Sequence, residues 1–380
     1  MNLSEQELLN LIRLQYVLGA GSTKSGKILD AFGGATHFFS CTDEQLRQSG
    51  LLSPKELERL WEADETYAEN ILKRCRENGI VPIGYDNTRF PERLRNISAP
   101  PLVLYTKGVF PSADEEPLFC IVGPRDISPF GTRAAYALSK RLTQAGMNVV
   151  TGIALGGDTA VLQGALQYAG KPIAVLPCGI LYDYLPQNRS LCNKVATAGC
   201  LVSEYPPDHA VTRYAFGARN RLLSGLSVGV AVVEAAEKSG TLITAHHAVE
   251  QGRDVFVIPG NPTLPQYKGS NGLLRDGAKP LTTAVDIFEE YLTLFSGKID
   301  PERAYALDKN KQSSEKFQKK SVKGLSNEAK IVYNYLDKQK FTVDDCVGAG
   351  LSGGQLLAAL TELEFEDYIT ALPGGFYAIS

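Results

Sequence analysis

Apolar residues keep one rhythm up to about residue 80, a second from Leu118 to Glu289 and a third beyond Leu325, so the chain reads as a succession of domains. In the first stretch they recur at helical spacing (Leu8, Leu9, Leu11, Ile12; Leu60, Trp61; Tyr67, Ile71, Leu72) between Gly- and Ser-rich turns. This predicts a bundle of short helices over residues 1–80. A connector follows, running from Ile80 to Tyr85 and on through the Ser98-Ala99-Pro100-Pro101 bend to Leu102–Tyr105. In the second stretch, apolar runs predict strands at Leu118–Val122, Asn148–Thr151, Pro172–Leu176, Cys200–Glu204, Ser227–Val233 and Asp254–Ile258. Runs with no polar alternation indicate strands buried on both faces, as in a parallel sheet covered by helices. Amphipathic segments at Thr132–Ala145, Asp158–Tyr168, Gln187–Ala196, Arg219–Leu226 and Leu242–Gln251 supply those helices. The expected fold is therefore α/β: a Rossmann-like, doubly wound, mainly parallel sheet over residues 81–296. Residues 297–324 carry eight Lys/Arg against four Asp/Glu and almost no apolar pattern, which predicts a linker. From 325 to 380, short helices followed by a hairpin at Tyr368–Ile379 predict a small winged helix.

Composition narrows the function classes. At 380 residues the chain is long enough for two or three cores, and a net charge of only −3 means that any site for a polyanion must be local. The seven cysteines are odd in number, scattered and without a CxxC pair, which fits a reducing cytoplasm and neither a disulfide framework nor a zinc site. No segment approaches the roughly 18 uncharged apolar residues that a membrane span needs, and the first residues lack the pattern of a signal peptide.

Doubly wound folds bind ligands at the carboxyl ends of their strands, so the residues that follow each strand are the informative ones. After the first core strand comes Gly123-Pro124-Arg125-Asp126-Ile127-Ser128-Pro129-Phe130-Gly131, a tight turn with one arginine and a hydroxyl at a helix start. After the second comes Gly152–Asp158, whose acid can cap the next helix. Lys238-Ser239-Gly240-Thr241 opens a helix, where free N–H groups, the helix dipole and an ammonium all favour an anionic oxygen. Between them, Phe216 precedes Arg219-Asn220-Arg221, which pairs phosphate clamps with a surface on which a base can stack. Either arginine can alternatively pair with Glu204 or Glu234 inside the crevice. The Leu18–Lys24 turn can present amides to a DNA phosphate in the manner of a helix-hairpin-helix, or can simply cap a helix.

Several chemistries lack their parts. No GxGxxG or GxxxxGK[ST] stretch is present, so dinucleotide and ATP cradles are not expected. His37, His209, His246 and His247 have no metal spacing, and Ser239 has no GxSxG elbow. No cofactor, metal site or catalytic residue is expected.

The ordered series VGPR..SPFG, TGIALGGDTAVLQGAL, IAVLPCGILYDYLPQNRSL, SEYPP, F.ARNRLLSGLS, VVEA..KSGTLITAHHAVEQGRDVFVIPG and GSNGLLRDGA, with YDNTRFPERLRNISAPPLVLYTKG before it, resembles the core of the DprA/Smf family (DNA-processing protein A) over Ile83–Ala278. The resemblance implies an extended Rossmann core between a SAM-like or helix-hairpin-helix-like N-terminal domain and a C-terminal winged helix. It also implies a cytoplasmic homodimer that is not an enzyme, that binds single-stranded DNA and that loads RecA recombinase during natural transformation. Carried over, the DNA-binding residues would be Gly123, Arg125, Ser128, Phe216, Arg219, Asn220, Arg221, Lys238, Ser239, Gly240 and Thr241. The chain departs from the family pattern at Pro124, where a small hydroxyl residue is usual, at Gly157 and Leu162, where Ile and His are common, and at Pro177, commonly Gly. The alternative is a nucleotide-processing enzyme resembling the lysine-decarboxylase-like phosphoribohydrolases, whose PGGxGT motif would fall on Lys238–Thr241 but for the missing double glycine. Three lysines against eight acids beyond Leu325, and a second helix around Gly354–Glu362 without base-reading side chains, suit the winged helix to a protein contact.

Overall fold

The computed structural model describes residues 3–168, 170–305, 325–336, 340–366, 368–372 and 376–379. It forms two compact units, Met1–Ala306 and Leu307–Ser380.

In the first unit, the described residues form a nine-stranded mixed sheet: β1 (Val81–Gly84), β2 (Val103–Gly108), β3 (Leu118–Val122), β4 (Asn148–Thr151), β5 (Ile173–Leu176), β6 (Cys200–Ser203), β7 (Gly229–Val232), β8 (Asp254–Val257) and β9 (Lys279–Pro280). Their spatial order is β1-β2-β6-β5-β4-β3-β7-β8-β9. From β6 to β9 all pairings are parallel, whereas β2 runs antiparallel to both β6 and β1. The connector of the sequence reading is thus the edge of the sheet. Its strands were hidden because β2 is buried against the N-terminal helices, so its apolar run merges with the Pro-rich bend before it.

The chain winds outward from β3 through β4 and β5 to β6, then returns to the other side of β3 to lay down β7. The loops after β3 and β7 consequently diverge to opposite faces and leave a crevice between them. Alternation within β3 shows the two cores. Cys120 and Val122 pack with Leu222, Leu223, Ala245 and Ala248 on one face, and Phe119 and Ile121 with Ala135, Leu142, Val161 and Phe288 on the other. The buried Val, Leu, Ile and Phe side chains among them each contribute about 1.5–3 kcal/mol, so the strand ends are held by a rigid frame.

Residues 297–305, read from their polarity as the start of a linker, instead belong to the first unit. Ile299 and Ala304 are buried in the second of those cores, and the Asp300 N–H donates to the Ala145 carbonyl at 2.8 Å. The rest of the expected linker, 306–324, lies outside the described residues.

Helices at Leu3–Leu18, Ser25–Phe32, Ala35–Ser40, Asp43–Gln48, Pro54–Glu62 and Glu65–Glu77 precede the sheet. Thr42 with Gln45 and Ser53 with Glu56 form capping boxes, which explains where the fourth and fifth helices begin. The bundle is fastened to β2 by Gln15, whose Oε1 accepts from the Leu102 and Val103 amides at 3.0 and 2.7 Å. Two donors of the Leu18–Lys24 turn are engaged within the protein. Gly21 N–H donates to Glu204 at 3.1 Å and Lys24 pairs with Glu56 at 2.6 Å, so neither is offered to a phosphate.

The second unit contains a helix at Asn327–Tyr335, β10 (Lys340–Thr342), a helix at Gly353–Phe365, and the antiparallel β11 (Ile369–Leu372) and β12 (Phe376–Ile379), in the order β10-β12-β11. Val332, Tyr333, Phe341, Leu360 and Leu363 form its core. The hairpin turn Pro373-Gly374-Gly375 and Asp337, Lys338 and Asp367 lie outside the described residues.

Candidate functional site

The crevice beside β3 is an open cleft of about 290 Å³. Its floor and walls come from Gly123, Pro124 and Arg125 after β3, Ala154 and Asp158 after β4, the helix Ala215–Gly225, and the helix start Ser239-Gly240-Thr241 after β7. Strand-end loops that are far apart in sequence therefore converge, and most of the residues singled out from the sequence meet here.

Arg125 stands at the lip. It is solvent-exposed, its guanidinium lies over the Phe216 ring at 4.7 Å, and its Nη2 donates to the Tyr184 hydroxyl at 3.0 Å. Tyr184 and Phe216 are themselves 5.6 Å apart with rings tilted by 59°. A cation laid on one aromatic face and hydrogen-bonded to the hydroxyl of a second ring keeps its charge available to an anion while its side chain loses little further freedom on binding. Opposite, Gly240 precedes the first turn of the helix Thr241–Glu250, and Ser239 Oγ accepts from the Thr241 amide at 3.2 Å. Lys238, just before that turn, is exposed.

Two glycine contacts set the depth of the cleft. The Gly157 N–H donates to the Pro124 carbonyl at 3.0 Å, and a Cβ on Gly157 would come within 2.8 Å of Gly123 Cα. The loops after β3 and β4 touch this closely because Gly157 lacks a side chain. Gly157, a departure from the family pattern, is thereby explained locally, and Leu162, another, is wholly buried in an apolar cluster with Leu176 and Val195.

Behind this surface lie charges that do not face solvent. Arg219 is buried, reaches the Val175 carbonyl through Nη1 and donates to Asn220 Oδ1 at 3.2 Å. Burial lowers its pKa, and Asp158 opposes that effect. Asp158 was expected to cap the following helix. Instead it turns back, accepting from the Ala154 amide at 3.1 Å and from the Thr151 hydroxyl at 3.2 Å. Its pKa is raised by burial, against the pull of Arg219.

Three predicted site residues do not line the cleft: Lys238, exposed just before the Ser239–Thr241 turn, and two that turn inward. Arg221 shares the helix with Arg219 but emerges on the opposite side, where Nη2 contacts both Glu204 oxygens at 2.6 and 2.7 Å, with 5% and 3% of the two side chains exposed. Its Nε and Nη1 are buried without a partner. Ser128 caps the helix Pro129–Gln144 through Gly131 at 2.9 Å, and its own N–H and Oγ donate to the fully buried Glu234 at 2.6 and 2.8 Å. Asn220 does line the cleft and donates to the Gly240 carbonyl at 3.4 Å, tying its two helices together.

Tyr184 was missed, although its position after the third parallel strand carried the same signal as the loops that were read. Leu223, Ile243 and Thr244 complete the lining; their signal is helical phase alone.

Residues 82–292 match the family model of DNA recombination-mediator protein A. The chain is 37% identical over 220 residues to the DNA processing protein DprA of Bacillus subtilis, covering 58% of this chain and 74% of that one. Among solved structures it resembles DprA of Streptococcus pneumoniae with a TM-score of 0.63 and 28% identity, covering 74% of this chain and 97% of the other. It also resembles DNA processing protein A of Helicobacter pylori, a protein with a described single-stranded DNA binding mode, with a TM-score of 0.51 and 27% identity over 56% of this chain and 96% of that one.

Proposed function

Because this chain belongs to the family of DNA recombination-mediator protein A, the DprA/Smf proteins, we propose that its cleft holds the sugar-phosphate backbone of single-stranded DNA without reading sequence. The observation that carries the reading is the lip: one exposed arginine fixed by the Tyr184 hydroxyl and the Phe216 ring, lining the same cleft as a helix start. Arg125 and Lys238 supply charge, and the Ser239–Thr241 turn with its helix dipole supplies a second anionic subsite. Phe216 and Tyr184 offer π faces that any base can use. Gly123, Arg219 and Asn220 shape the floor, while Ser128 and Arg221 act behind it on the loop and the helix.

In this reading the protein is a non-enzymatic mediator. It protects incoming single strands and loads RecA recombinase on them during natural transformation, as a cytoplasmic homodimer. Two observations favour binding over catalysis: Glu204 is neutralised by Arg221, and Glu234 is consumed by the Ser128 cap. The helix, strand, helix and hairpin order of the second unit supports a winged helix, and its excess of acids supports a protein contact there. Three parts follow: a helical bundle over 1–80, the core, and the C-terminal domain beyond 325.

A mobility-shift titration with single- and double-stranded oligonucleotides at two salt concentrations tests the reading. Tighter binding of the single strand, weakening as salt rises, is expected. Release of free base from nucleoside monophosphates, with no oligonucleotide shift, would replace the proposal with the phosphoribohydrolase alternative.

A further inference from the structure

A second cavity, of about 370 Å³, lies next to the cleft under the loop that follows β5. Its floor is apolar and built from the frame of the sheet: Ile153, Leu176 and Leu201 all line it and are at most 4% exposed. Its roof is the 180–185 segment, tied down at both ends. Leu181 N–H donates to the Pro207 carbonyl at 2.8 Å, and Asn188 Nδ2 donates to the Ile153 carbonyl at 2.8 Å. The cavity is thus a standing feature of the fold. Its rim carries the exposed Tyr182, Lys107 and the exposed Asp183–Arg189 ion pair.

The two cavities share a wall. Tyr184 lines the second cavity while its hydroxyl accepts from Arg125 and its ring meets Phe216, both of which line the first. Ile153 lines one and its neighbour Ala154 the other. A strand whose phosphate sits on Arg125 therefore has an apolar slot one aromatic ring away.

Resting on the single-strand reading above, we propose that this slot takes an unstacked nucleobase of the same DNA strand, so that the strand bends over Tyr184 and is held at two points. The size and chemistry of the slot fit this occupant. A slot of this volume with an apolar floor admits a flat ring. An apolar floor offers no hydrogen-bond code, which keeps the grip tolerant of sequence. Lys107 at the mouth suits the phosphate that follows the inserted base.

The test uses the full chain and a 20-nucleotide oligo-dT. Cys192 lines the slot and Cys41 lies in the N-terminal bundle, and both are partly exposed. Saturating oligonucleotide should slow maleimide labelling of Cys192, read by peptide mass spectrometry, and leave Cys41 unchanged. Ala196→Trp, which fills the slot from the helix Arg189–Ala198, should weaken oligonucleotide binding by about tenfold, the loss of one stacked base. Thr197→Trp on the exposed side of that helix should not. Unprotected Cys192 in a chain that binds the oligonucleotide, or a folded Ala196→Trp variant with wild-type affinity, overturns the slot and leaves the cleft standing. A wild-type chain that binds no oligonucleotide removes both. Should Ala196→Trp fail to melt cooperatively, Cys192 protection in the wild-type chain decides alone.

Discussion

The placement of the two arginines of the helix Ala215–Gly225 makes a quantitative prediction about salt. Each cation that neutralises a phosphate of a single strand adds about 0.7 to the slope of log K against log salt. Arg125 is exposed at the cleft and Lys238 is exposed one residue before its Ser239–Thr241 wall, whereas Arg221 is sealed against Glu204. Arg125→Ala combined with Lys238→Ala should therefore flatten the slope by about 1.4, so that across a tenfold rise in salt the variant loses about 25-fold less affinity than the wild-type chain. Arg221→Met with Glu204→Gln, which removes the buried pair while keeping its volume, should leave the slope unchanged. Fluorescence anisotropy with labelled oligo-dT between 50 and 500 mM NaCl measures both slopes. An unchanged slope in the first variant, or a flatter one in the second, would refute the division into exposed ligand-binding cations and buried structural ones.

The same geometry sets three further outcomes. Arg221→Ala alone should lower the unfolding free energy by about 3–5 kcal/mol, because it strands the Glu204 carboxylate. The double replacement should cost little, since Arg221 Nε and Nη1 are already unpartnered; urea denaturation of both variants measures the difference. Phe216→Ala should weaken oligonucleotide binding by about 1–3 kcal/mol with the salt slope intact, as expected for a stacking surface that carries no charge of its own. Asp158→Asn should change the pH dependence of stability. Asp158 binds its proton more tightly in the folded chain than in the unfolded one, so wild-type stability falls as pH rises from the ordinary carboxylate value through the raised one. The variant lacks that decline, and thermal melts of the two chains from pH 3 to pH 7 should diverge over that interval.

The parallel core was legible because strands buried on both faces leave uninterrupted apolar runs, and β3 and β4 fall on their predicted bounds. The edge was not. β1 passes from exposed Val81 to buried Ile83 and Gly84 within only four residues, and β9 is two residues long, so neither leaves a pattern that outweighs its turn-forming neighbours. At the site, strand-end logic brought Gly123, Arg125, Phe216, Arg219, Asn220, Ser239, Gly240 and Thr241 to one cleft. Its failure at Arg221 has a geometric cause already written in the sequence. Residues two apart on an α-helix diverge by about 200° around the axis, so Arg219 and Arg221 cannot both face one ligand once the helix extends back to Ala215. Ser128 misled for another reason: a hydroxyl at a helix start signals both a cap and an anion site, and only the position of Glu234 settles which.

These misplacements bear on how a chain of nearly balanced charge can hold a polyanion. If every arginine of the crevice faced outward, their mutual repulsion would have to be carried by the folded state before any ligand arrived. Here Glu204 and Asp158 sit against Arg221 and Arg219 behind the surface, and Glu234 fastens the loop that presents Arg125. The buried acids thus fix backbone and helix positions, and the outward field is left to Arg125, Lys238 and the amides of one helix start. A site of that kind is pre-formed and grips weakly per nucleotide, so tight binding must come from holding one strand at several points. That requirement gives the slot beyond Tyr184 its physical role.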